Sequence, residues 1–147
     1  MSKMNPAEFQ ALIERDLPLG RMLGFRALEL ADGKARVGMA FSPAFVRSGG
    51  TIAGPLMMAL ADCAMYAAVL SAVGGAVMAV TSNLTIHFLR APRPVGLVAE
   101  AALLRLGRRL AVIEVTLYSE GDPKPVAHVT GTYALPGERG REGAAVP

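Results

Sequence analysis

Apolar positions recur along this chain with two different spacings, and the spacing changes along its length. Near the start, Phe9, Leu12 and Ile13 follow a helical period. Asn5-Pro6-Ala7-Glu8 precedes them as a helix start. Asn5 suits the cap, Pro6 the first helical position, and Glu8 the acid of a capping box. Pro18 and Gly20 are expected to end this element. Residues 26–30 and 34–41 then alternate as strands, with Asp32-Gly33 as the hairpin turn between them. In the second strand Ala35, Val37, Met39 and Phe41 share one face, and Lys34, Arg36 and Gly38 the other. Residues 42–54 form a glycine-containing loop. Pro55 opens a long apolar helix that runs to Val73, where Gly74-Gly75 stops it. Four strand-like runs follow, at 77–89, 97–106, 109–119 and 126–135. Gly107-Arg108 and Gly121-Asp122-Pro123 punctuate the last three.

Helix, hairpin, long helix and then four strands predict an α+β fold, an antiparallel sheet wrapped around one long central helix. The expected organisation is a single domain over residues 1–136 with a flexible tail at 137–147, rich in Gly, Ala and charge. A length of 147 residues suits one domain with a sizeable core. Apolar residues make up 52% and charged residues 18%, which excludes intrinsic disorder. Cys63 is the one cysteine, which excludes a disulfide scaffold. A net charge of +3 and an aromatic content of 5% give no nucleic-acid signature. No secretory signal opens the chain, so a cytoplasmic protein with reduced Cys63 is expected.

From Ser48 to Leu89 the single formal charge is Asp62. A membrane span needs about 20 mostly apolar residues, and a carboxylate near mid-span costs roughly 2.5–3.5 kcal/mol. The glycine pair, the Ala-rich composition and Asp62 favour a buried helix over a span. That makes Asp62 the first chemical candidate, because a desolvated carboxylate is paired, protonated or functional. No basic residue shares its helix. The loop from Arg47 through Gly50, Ala53 and Gly54 into the helix start is the second candidate, since its amides suit an anion or a developing oxyanion. Thr81, Ser82 and Asn83 bring small polar groups into an apolar strand. Arg90 and Arg93, and beyond them Arg108 and Arg109, suit phosphate recognition. His87 and His128 are read as packed or solvent-facing, and Cys63 as a small buried apolar residue. No serine nucleophile elbow, metal-spaced His/Cys set or phosphate-binding Walker loop is present.

Gly49-Gly50-Thr51-Ile52-Ala53-Gly54-Pro55, running on to Ala61-Asp62, resembles the segment that marks hotdog-fold acyl-CoA thioesterases of the phenylacetate-degradation (PaaI-like) branch. Residues 80–90, ending Phe88-Leu89-Arg90, look like that family's strand and its proline turn. The resemblance implies a homodimer, doubled to a homotetramer, with sites at the dimer interface. Asp62 of one subunit would then face the Gly54 amide of the other. Gly54 N–H would polarise the thioester carbonyl, Asp62 would activate water or attack directly, and Thr81 would help position the water. Tyr66, with neighbouring methionines, would shape the acyl pocket. The substrate would be an acyl-CoA, with coenzyme A part of the substrate, no separate cofactor, no metal, and neither nucleic acid nor membrane as partner. Three positions depart from the family pattern. Ala53 stands where a His is usual, Pro55 where a second Gly is usual, and Arg47 where an Asn is usual. The Ala53 departure favours the alternative of a non-catalytic acyl-CoA or small-ligand binding protein.

Overall fold

The computed structural model describes residues 2–75 and 78–137. Helix α1 (Pro6–Asp16) starts with the expected capping box. Glu8 N–H donates to Asn5 Oδ1 at 2.8 Å, and Asn5 N–H to Glu8 Oε1 at 3.3 Å. Its stripe of Phe9, Leu12 and Ile13 is buried. α1 ends at Asp16, just ahead of Pro18 and Gly20 as expected, but these two residues do not stay outside helical structure. They belong to a second helix, α2 (Pro18–Leu23). Pro18 occupies its first turn, where a missing N–H is harmless. Gly20 is buried, and a Cβ there would lie 3.3 Å from both Ile13 and Phe25. The residue that stops α2 is Gly24, at φ 72°.

Strands β1 (Phe25–Ala31) and β2 (Lys34–Met39) form the expected hairpin, with Gly33 at φ 76° in its turn. Phe41 falls beyond the end of β2 and is 40% exposed, so it does not share the buried face of Ala35, Val37 and Met39. After a 3-10 turn at Pro43–Phe45 and a single bridge from Val46 to Ile52 comes α3 (Gly54–Val73). Then follow β3 (Val80–Phe88), β4 (Leu97–Leu106), β5 (Leu110–Ser119) and β6 (Pro125–Ala134). Val77, the expected start of β3, lies outside the described residues, as does the expected tail from 138 onward.

All strand pairs are antiparallel, in the order β1-β2-β4-β5-β6-β3. β3 therefore crosses to the far edge, beside β6, instead of pairing with its sequence neighbour β4. The sheet curls over α3, whose Leu60, Ala61, Ala64, Met65, Ala67, Ala68, Val69 and Leu70 are fully buried. The helix is long and apolar enough to cross a membrane, yet its surface is spent on the sheet's inner face. It is the core helix of the hotdog arrangement. Ser71, buried on it, has its Oγ 2.7 Å from both Ala31 O and Ala68 O, donating its one proton to either, and accepts from Gly33 N–H at 3.0 Å. These bonds tie the β1–β2 turn to the helix.

Candidate active site

Asp62 sits two turns into α3, half-buried where the helix passes the start of β3 and the end of β6. Thr81 Oγ1 donates to its Oδ1 at 2.6 Å. Tyr133 Oη donates to the same Oδ1 at 2.8 Å and lies 3.0 Å from the Asp62 carbonyl oxygen. Thr81 and Tyr133 are direct partners across β3 and β6. Opposed residues of an antiparallel pair project to the same face, so both hydroxyls reach one carboxylate. The pairing slips between Thr81 and Asn83, and such bulges re-aim side chains beside sites. Tyr133 stacks on Tyr66 with ring centres 5.9 Å apart, and Tyr66 meets the edge of Phe9 at 6.0 Å.

These groups open onto a cavity of about 460 Å³. Its walls come from Leu17, Leu19 and Gly20 around α2, from Phe25, from Ala59, Cys63 and Tyr66 on α3, and from Ala79 and Val80. Asp62 is the one formally charged residue in that lining. Burial, with Asp62 second, pushes the Cys63 thiol up to about 12. Burial likewise lifts the Tyr66 phenol to about 12. The Tyr133 phenol is raised well above its ordinary value, by burial first and the Asp62 charge next. Tyr133 therefore remains a hydrogen-bond donor throughout the working pH range.

Gly54 lies at the other end of this arrangement. It is the first residue of α3, capped by Ala53, which has no side chain to accept a hydrogen bond. Pro55 has no N–H, and Leu56 N–H is taken by Ala53 O at 3.1 Å. That leaves the Gly54 amide as the free donor of the first turn. A Cβ on Gly54 would lie 3.2 Å from the Phe88 ring, so this position has little room for a side chain. Eight residues of helix, about 12 Å at 1.5 Å each, separate Gly54 from Asp62 within one chain.

The remaining candidates divide between the two ends of β3. Arg47 and Arg90 line one small cavity of about 320 Å³ beside Phe88. Gly50 sits in the turn before it, its N–H bonded to Arg47 O at 3.1 Å, with φ at 80°. Arg93 is anchored nearby through its own N–H, which donates to Ser119 Oγ at 3.2 Å. Arg108 and Arg109 stand instead at the β4–β5 turn, along a groove of about 590 Å³. Leu110 there pairs with Ala134, which pairs with Val80 at the opposite end of β3. Ser82 and Asn83 are exposed on β3, flanking the bulge. His128 Nε2 lies 3.3 Å from Glu114 Oε2, and His87 is its cross-strand partner, away from Asp62's hydroxyl donors. Tyr133 is the site residue that the sequence did not single out.

Known proteins share sequence and fold with this chain. Residues 49–126 match the thioesterase superfamily. A structure described as a candidate thioesterase from a Silicibacter species is 37% identical, with a TM-score of 0.84, covering 92% of this chain and 94% of that one. A mutant of the phenylacetic acid degradation protein PaaI from Thermus thermophilus is 32% identical, with a TM-score of 0.71, covering 80% and 97%. The PaaI protein of the Escherichia coli phenylacetic acid degradation operon is 26% identical, with a TM-score of 0.78, covering 87% and 90%. No curated protein sequence matches the chain.

Proposed function

Since this chain belongs to the thioesterase superfamily, we propose that it hydrolyses an acyl-CoA thioester to the free acid and coenzyme A. The observation that carries this reading is Asp62, a lone carboxylate in an apolar helix, gripped by two hydroxyls at the edge of an apolar cavity. Asp62 takes a proton from water as the water oxygen bonds to the thioester carbonyl carbon. The carbonyl oxygen gains negative charge and is held by the Gly54 N–H. The C–S bond then breaks, and the departing thiolate takes up the proton, leaving a carboxylic acid. The chemistry draws on Asp62, water and a backbone amide. Coenzyme A enters as part of the substrate, and no metal or separate cofactor takes part.

About 12 Å of helix between Asp62 and Gly54 is too far for both to act on one carbonyl in one chain. We therefore assign each site to two subunits, Asp62 from one and Gly54 from the other, in a homodimer that doubles to a homotetramer. The exposed β3 edge, with Val80, Phe88 and Leu89 each more than half exposed, supports a partner there. Arg90 and Arg93 with Arg108 and Arg109 are assigned to the coenzyme A phosphates, and Arg47 with the Gly50–Ala53 turn to substrate near the amide. Tyr66 shapes the acyl pocket. Ser82 and Asn83, next to Thr81 on β3 but outside the cavity lining, are assigned to substrate binding. The protein is taken as cytoplasmic.

Thiol release measured over short, medium and aryl acyl-CoA substrates tests the reading. Turnover of at least one class is expected. The Ala53 departure gives weight to one rival, a non-catalytic binding protein. Tight acyl-CoA binding with no thiol release across the panel would establish that rival instead.

A further inference from the structure

Tyr133 lies 71 residues from Asp62 along the chain and touches it twice, at the carboxylate and at the backbone carbonyl. A carboxylate oxygen offers about two lone-pair positions. Thr81 and Tyr133 both donate to Oδ1, at 2.6 and 2.8 Å, and so occupy it. Among the described residues no hydrogen bond reaches Oδ2. The phenol is held rigidly. Its residue is 3% exposed, its ring stacks on Tyr66, and its backbone sits in register with Thr81 beside the bulge.

We propose that Tyr133 is a positioning residue of the hydrolytic site. With Thr81 it fixes Oδ1 of Asp62, so that Oδ2 is the oxygen presented to the attacking water. This rests on the reading of Asp62 as the hydrolytic carboxylate. A mid-helix aspartate has more than one staggered side-chain orientation open to it. A hydroxyl that spans its carboxylate and its own carbonyl selects one of them before substrate arrives, which is where preorganisation acts.

Tyr133→Phe removes one oxygen and keeps the ring stack. The expected result is a fall in kcat of about tenfold with KM held within about twofold, in a protein that stays folded and keeps its oligomeric state. Thr81→Ser, which retains a donor, should keep most of the activity. Thr81→Val should lose it as Tyr133→Phe does. Combining Thr81→Val with Tyr133→Phe should lower kcat by more than the product of the single effects, because each single variant keeps one donor that restrains Oδ1 in part and the double variant keeps none. Should Tyr133→Phe not fold, Tyr133→Met, which also lacks the hydroxyl and fills space flexibly, takes its place. Wild-type kcat in the hydroxyl-free variant, or a change confined to KM, overturns the proposal. If the unaltered protein hydrolyses no thioester, the functional reading has failed. The positioning role is then decided by the crystal structure of the variant. An Asp62 side chain turned away from its wild-type orientation supports the role, and an unchanged one overturns it.

Discussion

Asp62, Cys63, Tyr66 and Tyr133 put one carboxylate among three weakly acidic groups that burial keeps neutral. The consequence for stability has a definite sign. In the unfolded chain the thiol ionises near its ordinary 9.0 and the phenols near 10.0. In the folded protein all three hold their protons to higher pH, so above those ordinary values the unfolded state binds fewer protons than the native one. Stability is then fully present below about pH 9 and falls as pH rises toward 12. A urea midpoint that drops steadily from pH 9 to 11 is expected, and a flat one would contradict it. Cys63 should also resist alkylation at neutral pH in the native protein and react once unfolded. At this scale Asp62 was legible because it interrupts an apolar run. Thr81 was legible by resemblance. Tyr133 was not, because its role depends on a strand register and a bulge that link positions 71 residues apart.

At the scale of elements, the approach of β6 to α3 depends on Gly131. A Cβ there would collide with the end of the Met65 side chain and come within 2.9 Å of Asn83 O. The methionine can move, but the carbonyl belongs to the β3–β6 ladder that aligns Thr81 with Tyr133. Gly131→Ala should therefore destabilise the fold by about 1–3 kcal/mol, the usual cost of overpacking, and lower activity with it. Denaturant unfolding checks the first part, and an unchanged midpoint would refute this role for Gly131. The strands and the two longer helices could be read from period and punctuation. Helix α2 could not, since Pro18 and Gly20 are stop signals in sequence but serve here as a first-turn residue and a packing contact. Missing α2 meant missing one wall of the cavity, because Leu17, Leu19 and Gly20 line it.

The whole molecule decides where the basic residues stand. In sequence they form one group after β3, but the fold sends Arg90 and Arg93 to one end of that strand and Arg108 and Arg109 to the other. The nine residues of β3 span about 30 Å at 3.3 Å each. Two copies joined antiparallel along their β3 edges would bring one subunit's Arg90 beside the other's Arg108 and Arg109. Strand order is what sequence neighbours fail to reveal, since β4 and β5 separate β3 from β6 along the chain but not in the sheet. Replacing Arg90, Arg108 and Arg109 together with Ala should raise KM for an acyl-CoA about tenfold or more while changing kcat little. Initial-rate kinetics check this, and an unchanged KM would remove the phosphate assignment.

Whether Asp62 drives thioester hydrolysis, as proposed, can be decided by one substitution. The most direct test is kcat/KM of Asp62→Asn beside the unaltered protein, on the acyl-CoA that the unaltered protein turns over fastest. Asparagine keeps the size and can still accept from Thr81 and Tyr133, but it neither takes a proton from water nor serves as a carboxylate nucleophile. A loss of at least about 100-fold is expected, with folding and oligomeric state preserved, in line with the usual contribution of a general base. Turnover by Asp62→Asn at the wild-type rate would contradict that role for Asp62.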